Sequence, residues 1–262
     1  MAQPPDLDSQ GEKAAQIIVA ATHPVALVGA GMSVESGIPP FRGPQGLWTK
    51  YGEPDMLNYQ RFLKEPKGWW EARLEEKGYM AEFRKTLFQA KPNPGHYALA
   101  ELESMRVLKY IITQNVDNLH RKAGSQRVAE IHGNSSRLRC ISCSARWDLE
   151  GFRLDDLPPR CPHCGGVIKS DTVMFGEPIP SDVMRICQQE SDACDCMVLV
   201  GTSATVYPAA SFPTEVKSNG GYLIEINSSE TEISHLCDVV LRAPSGQALP
   251  PLVAKIRELK QP

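Results

Sequence analysis

Three polar clusters in this chain have residue types and spacings that could do chemistry. Gln114-Asn115-Val116-Asp117 sets a carboxamide and a carboxylate close together, just behind the apolar run 109–113. Polar groups past the carboxyl end of a strand lie where open α/β sheets bind ligands, and Asn115 with Asp117 could grip a carboxamide. Asp117 would equally suit the N-cap of a helix running through Leu119, His120 and Arg121. Fifteen residues after Asp117, His132-Gly133 follows the apolar Val128 and Ile131. An imidazole, with an ordinary pKa of ~6.5, suits a general base near neutral pH, although a lone histidine also reads as a packed or surface residue. Cys140-x2-Cys143 and Cys161-x2-Cys164, with seventeen residues between the pairs, have the spacing of a four-thiolate zinc ribbon. Four thiolates close a tetrahedral shell, so the zinc would be structural, and His163 inside the second pair would be exposed.

A fourth cluster, Gly29-Ala30-Gly31-Met32-Ser33, follows the apolar run Val25-Ala26-Leu27-Val28. Glycines there permit a tight turn and close approach of backbone N–H groups to a pyrophosphate, and a helix opening near Ser33 favours anions. The ordinary dinucleotide fingerprint is absent: Val34 stands where a third glycine would, and no acidic residue ends a second strand ~20 positions on. A plain strand–helix turn would look the same. Further along, Phe41 could cover a ring and Arg42 could meet a phosphate or carboxylate.

These clusters need a scaffold. The apolar runs 25–28, 109–113, 197–200 and 222–226 read as strands buried on both faces. Helical stretches separate them, near 9–22, 95–105, 117–123, 181–191 and 208–218. Strands alternating with helices predict a doubly wound α/β parallel sheet. Two stretches break the rhythm: 43–94, rich in aromatic and charged residues, reads as a helical insertion, and 137–170 reads as the metal-held module. The expected organisation is a discontinuous Rossmann-like domain (10–42, 95–136 and 171–260) with a smaller domain made of 43–94 and 137–170, and a cleft between them.

The run Gly29-Ala30-Gly31-x-Ser33-x-x-Ser36-Gly37-Ile38-Pro39-x-Phe41-Arg42-Gly43 resembles the signature of the sirtuins, NAD-dependent protein lysine deacylases, and the order Gln-Asn-x-Asp then His-Gly is similar to theirs. The resemblance spans about residues 15–258. It implies a prokaryotic-type member, closest to the class that includes desuccinylase-like enzymes. It implies NAD as co-substrate, one structural zinc, and acyl-lysine proteins or peptides as partners, with NAD and peptide entering the cleft from opposite sides. In the implied reaction the acyl oxygen attacks the ribose C1′ as nicotinamide leaves. His132 then takes a proton through the ribose hydroxyls, and water finally releases lysine and an acyl ester of ADP-ribose. Asn115 and Asp117 would hold the nicotinamide carboxamide. The implied cofactor residues are Gly29, Ala30, Gly31, Ser33, Ile38, Phe41, Arg42, Gln114, Asn115, Asp117, His132, Gly201, Thr202, Ser203, Asn227, Ser228 and Ser245, the last through its backbone in a loop over 241–246. The segment Val173-Met174-Phe175-Gly176-Glu177 resembles the family's peptide-holding strand and loop, so Val173, Phe175, Gly176 and Glu177 would meet substrate; Met174 departs from the family's usual Trp. Trp70-Glu71-Ala72-Arg73 resembles the Tyr-x-x-Arg of members active on dicarboxylic acyl groups, with Trp in place of Tyr. Arg73 would pair with a distal carboxylate, or lie solvated on a surface helix.

Bulk properties exclude other classes. The chain has 262 residues, 42% hydrophobic and 23% charged, with a net charge of −3. That balance gives no case for nucleic-acid binding. No apolar run approaches the ~20 residues that span a bilayer, and residues 1–10 lack the pattern of a secretory signal. A cytoplasmic location is expected. Cys187, Cys194, Cys196 and Cys237 read as buried free thiols. Two rival functions remain open: a mono-ADP-ribosyltransferase using the same NAD site, and a non-catalytic NAD-sensing protein.

Overall fold

The computed structural model describes residues 7–43, 46–75 and 77–261, so the first six residues of the stretch read for a leader lie outside it. Its strands are β1 (Pro24–Val28), β2 (Tyr110–Thr113), β3 (Val128–Glu130), β4 (Arg137–Cys140), β5 (Arg146–Asp148), β6 (Ile168–Ser170), β7 (Cys196–Val200), β8 (Tyr222–Ile226) and β9 (Val239–Leu241). Its helices are α1 (Leu7–Ala20), α2 (Leu47–Tyr51), α3 (Asn58–Lys64), α4 (Pro66–Leu74), α5 (Gly78–Gln89), α6 (Pro94–Ser104), α7 (Leu119–Lys122), α8 (Ser181–Asp192), α9 (Phe212–Ser218) and α10 (Ser245–Leu259).

Among the described residues, one sheet has the order β3-β2-β1-β7-β8-β9, with every neighbour parallel. This is the doubly wound order in which the chain reverses direction across the sheet between β1 and β7. The strands are apolar on both faces because both are covered. In β1, Ala26 and Val28 face a core shared with α1, α6 and α10, whereas Val25 and Leu27 face one shared with α8 and α9. Cys187, Cys194 and Cys196 are buried free thiols and Cys237 is half-buried, as a small hydrophobe would be. No described helix is long and apolar enough to cross a membrane.

Element boundaries follow local chemistry. Asn93 caps α6: its Oδ1 accepts from the N–H groups of Gly95 and His96, and His96 Nδ1 accepts from the Asn93 N–H. The same side chain donates to Met32 O at 2.7 Å, tying α6 to the glycine-rich turn. The helix expected over 117–123 begins two residues later. The Asp117 carboxylate accepts the Leu119 N–H and Asn118 sits at φ +66°, a left-handed conformation asparagine tolerates. The helix expected from 208 starts at Phe212, behind a short 3₁₀ turn at Ala209–Ser211. Strand β9 and helix α10 are not among the elements expected from the sequence, although Leu249, Leu252, Val253 and Ile256 fall at i, i+3, i+4 and i+7 on one helical face. Pro250 and Pro251 argue against a helix there, yet Leu249, Leu252, Val253 and Ile256 bury against α1 and α6, and that burial prevails.

Two stretches depart from the α/β rhythm. Residues 47–89 form α2 to α5, and β5-β4-β6 make a separate antiparallel sheet around the cysteine pairs. Trp70 on α4 packs into that small sheet with Leu138, Cys140, Cys161 and Ile168.

At the sheet's reversal point the two diverging loops touch. A Cβ on Gly31 would lie 2.7 Å from Gly201 Cα, and one on Gly29 would lie 2.7 Å from Gly201 O and Thr202 Cα. We expect Gly31→Ala to cost about 1–3 kcal/mol, the usual penalty of overpacking. Urea unfolding checks it; an unchanged midpoint would remove this contact from the fold's requirements.

Candidate active site

The site grows from the carboxyl ends of β1, β2, β3 and β7. Gly29 N donates to Val200 O and Gly31 N to Gly201 O, at 2.9 and 2.8 Å. These two amides are spent on joining the loops. The glycines therefore serve backbone-to-backbone approach rather than presenting their N–H groups to a phosphate, which corrects the sequence reading. The segment Ala30–Ser36 is a 3₁₀ helix that ends at Gly37, φ +84°.

Ser33, Asn115 and Asp117 are buried together. Ser33 Oγ donates to Asp117 Oδ2 at 2.7 Å, and Asn115 Nδ2 lies 3.2 Å from Ser33 Oγ and 2.9 Å from Gly29 O. Burial pushes the Asp117 carboxyl above its usual range, opposed by the Leu119 N–H and the Ser33 hydroxyl. Gln114 links this trio to the next loop, donating from Nε2 to Thr202 Oγ1 at 2.9 Å.

His132 stands on the loop after β3. Its Nδ1 lies 3.1 Å from Gln114 O. A carbonyl only accepts, so Nδ1 carries the proton and Nε2 is left with a lone pair. Burial lowers the imidazole pKa, and the Gln114 bond opposes that only partly. Gly133 does more than leave the ring accessible. At φ +78°, its missing Cβ would fall 2.0 Å from Asp171 O, so only glycine lets this turn lie on 171–172. Asn134, fully buried, donates to Asn118 Oδ1 and Glu130 Oε1 and braces the turn.

The peptide-like segment is joined directly to the histidine: Val173 N donates to His132 O at 2.8 Å. Phe175 O accepts from Tyr59 N, and the Phe175 ring meets Trp48 at 5.8 Å, which in turn meets Phe41 at 5.4 Å. Gly176, φ +78°, would place a Cβ 2.6 Å from Met56 O. Glu177 does not face substrate. Its side chain is buried on Arg139 and Lys169, and Oε2 accepts from Met174 N at 2.8 Å. Trp70 is also unavailable: it is 1% exposed, with its indole N–H donating to Ile168 O. A residue committed to the core of the small sheet cannot read an acyl group. Arg73 is half-buried over Trp69, with no carboxylate partner among the described residues; burial and nearby Arg84 lower its pKa to about 10.

The remaining candidates line up along the sheet. Arg42 is exposed over the Trp48 ring and donates to Thr205 Oγ1, which also lies 2.9 Å from Ser203 Oγ. Thr205 was missed by motif reading because nothing in its neighbours distinguishes it. Asn227 Nδ2 donates to Thr202 O and Ser228 is exposed. Ala30 is half-buried on the turn. Ile38 is buried against Leu87 and Leu119, supporting the turn from below. Ser245 is buried at the start of α10, its hydroxyl 3.3 Å from Met32 O. The stretch expected as a loop over 241–246 is the connection 242–244, flanked by the end of β9 and the start of α10. A buried amide and carboxylate, a rim of hydroxyls and one exposed guanidinium fit the carboxamide, ribose and pyrophosphate of a dinucleotide.

The four cysteine sulfurs lie within 4.8 Å of one another, with Cys140–Cys164 at 3.5 Å and Cys143–Cys161 at 3.6 Å. A tetrahedral ion with metal–sulfur bonds of ~2.3 Å needs sulfurs about 3.8 Å apart, so the set fits zinc. Both knuckles close with backbone bonds, Ser144 N to Cys140 O and Gly165 N to Cys161 O. The positive φ of Ser144 and Gly165 makes those tight turns possible. His163 is exposed beside Trp147 and is not needed in the shell.

Comparison with known proteins agrees with this geometry. The Sir2 family model matches residues 29–208. The chain is 43% identical over 253 residues to an NAD-dependent protein deacylase of Thermococcus kodakarensis, covering 94% of this chain and 95% of that one. It is 42% identical over 253 residues to an NAD-dependent protein deacetylase of Saccharolobus solfataricus, covering 94% and 97%. A solved complex of a Sir2 homologue with NAD superposes with a TM-score of 0.78 at 41% identity, over 95% of this chain and 94% of that one. A Sir2–p53 peptide–NAD+ complex superposes with a TM-score of 0.74 at 31% identity, over 92% and 95%.

Metal removal should act on folding before chemistry. Structural zinc is worth about 10–16 kcal/mol to a free zinc-finger peptide at neutral pH. Cys161→Ser, or exhaustive chelation, is expected to lower the melting temperature and expose Trp70 and Trp147 to quenchers. A zinc-free protein with unchanged melting and activity would refute the structural role.

Proposed function

The chain belongs to the Sir2 family, and on that premise we propose that it is an NAD-dependent protein lysine deacylase, with His132 as its general base. One observation carries the reading: a neutral imidazole with a free Nε2 stands on the same strand ends as the buried Ser33–Asn115–Asp117 trio, and its carbonyl is bonded to the 173–175 segment.

NAD, when bound, supplies a ribose carbon with nicotinamide as its leaving group. The rest of the chemistry belongs to the chain. Asn115 and Asp117 hold the carboxamide: the Asn115 amide, its two N–H groups bonded to Gly29 O and Ser33 Oγ, offers Oδ1 as an acceptor, and the carboxylate is kept in place by Ser33 and the Leu119 N–H. Arg42, with Ser203 and Thr205 at its head, meets the pyrophosphate, and Asn227 and Ser228 meet the adenosine ribose. The backbone of 173–175, leading into the turn at 174–177, takes the peptide through main-chain hydrogen bonds, which makes affinity largely independent of peptide side chains. The proton released from the ribose hydroxyls goes to His132 Nε2, because Gln114 O already occupies Nδ1. Burial favours the uncharged ring, so the base is ready at neutral pH. Arg73 favours an acyl group with a distal carboxylate: a half-buried guanidinium beside Arg84 gains from an anion. The cytoplasm is the compartment this activity fits.

Products decide the reaction class. Purified protein with NAD and an acetyl-lysine or succinyl-lysine peptide should yield free lysine and acyl-ADP-ribose by mass spectrometry; a peptide heavier by one ADP-ribose would make the chain a transferase. His132→Ala should retain NAD binding and lose at least about 10²-fold in kcat, the usual worth of a general base. Protonation removes the acceptor at Nε2, and the ring pKa lies below its ordinary value. The acid limb of kcat/KM should therefore fall below pH ~6.5, and a limb well above that value would assign the base elsewhere. Arg73→Met should slow succinyl-lysine cleavage more than acetyl-lysine cleavage, and equal effects would remove the carboxylate role.

A further inference from the structure

Six charged side chains meet beneath residues 173–177, and none of them takes part in the proton transfer. Lys169 on β6 is 0% exposed; its Nζ donates to Ser170 O and Thr172 O at 2.8 and 2.7 Å and pairs with Glu177 Oε2 at 3.0 Å. Arg139 on β4 donates from Nη2 to Glu177 Oε1 at 2.5 Å and from Nε to Asp171 Oδ1 at 2.9 Å. Arg146 on β5 reaches Asp171 at 3.2 Å and Asp182 on α8 at 2.9 Å.

The register explains why this cluster needs an anion at its centre. Arg139 and Lys169 are directly opposite each other in the β4–β6 pair. Like charges opposed across a strand pair repel, and two buried cations need an anion between them. Glu177 supplies it, with one carboxylate oxygen for each cation. The carboxylate is thereby fixed to the zinc-bearing sheet, since Arg139 adjoins the zinc ligand Cys140 and Cys140 pairs with Ile168, the neighbour of Lys169. From that fixed point Oε2 accepts Met174 N, and Glu177 N donates to Met174 O at 3.0 Å. The turn 174–177 is closed at both ends. Val173 N, one residue earlier, is held by His132 O.

We propose that Glu177 is a positioning residue: clamped between Arg139 and Lys169, it holds the 173–176 backbone in the conformation that receives the acyl-lysine peptide, so that the zinc-bearing sheet sets peptide affinity. The inference rests on the deacylase reading. It separates two properties that a general structural role would move together. The carboxamide and pyrophosphate of NAD are assigned to residues at the ends of β1, β2 and β7, with which none of the six charged side chains is bonded, whereas the peptide lies on the segment that the cluster shapes.

The test uses the full-length, zinc-loaded enzyme. Glu177→Asp keeps the charge and withdraws the carboxylate from Met174 N. Losing that charge-assisted bond should raise the KM for acetyl-lysine peptide about tenfold or more, with kcat at saturating peptide within about threefold and the Kd for ADP-ribose, by calorimetry, within about twofold. Arg139→Lys keeps a cation but cannot bridge Asp171 and Glu177, and it should shift peptide KM in the same direction. A soluble, zinc-loaded Glu177→Asp or Arg139→Lys enzyme with unchanged peptide KM would overturn the proposal, as would equal shifts in peptide KM and ADP-ribose Kd. A wild-type protein that binds ADP-ribose but deacylates no peptide would instead overturn the deacylase reading.

Discussion

Gly31 and Gly201 pass each other with no room for a methyl group between them. That approach lies at the point where a parallel sheet reverses its winding, with β2 and β3 on one side of β1 and β7 to β9 on the other. Loops at such a point ordinarily diverge and leave a crevice. Here the bonds Gly29 N to Val200 O and Gly31 N to Gly201 O hold the floor of the crevice shut. Ser33, Asn115 and Asp117 are placed on that floor, and Gln114 reaches from one loop to the other to lock Thr202. Without the glycine contact the loops would separate and the trio would lose its geometry.

The second sheet shapes a different part of the site. Its four cysteines would close a tetrahedral metal shell with no open position, so the ion would contribute shape rather than chemistry. The shape is transmitted through charge. Breaking one partner of a buried ion pair costs about 3–5 kcal/mol, because the other is left uncompensated. Asp171, Glu177, Arg139 and Lys169 are almost fully buried, and burial pulls the Lys169 ammonium down to about 8 against the attraction of Glu177. Such a cluster tolerates few alternative arrangements. One sheet thus places the polar trio and the histidine, and the other places the backbone beside them, with Val173 N to His132 O as the joint.

Much of this was legible from residue order. The strand runs were readable because a strand covered on both faces must be apolar throughout, and the zinc ligands because tetrahedral chemistry imposes the x2 spacing. Where local signals misled, packing was stronger. Helix α10, absent from the expected elements, contains Pro250 and Pro251 and is sustained by its buried apolar face. Trp70 resembled an acyl-reading residue, but its indole is in the core of the small sheet. The glycines of the turn looked like amide donors for phosphate, yet two of those amides are already bonded.

Residue types and their order determined the reaction class, the metal and the class of fold, because each depends on chemistry that few side chains provide and on periods that few backbones have. Tertiary structure decided which of those residues lie open to the crevice. Glu177 and Trp70 turn inward, Thr205 and Asn134 join the site without any motif, and His132 gains its tautomer from the carbonyl of Gln114. Those outcomes depend on contacts between residues far apart in the chain: Glu177 with Arg139, Trp70 with Ile168, Gly133 with Asp171. Such contacts have no local signature, since the distance between two side chains exists only after the intervening elements have packed.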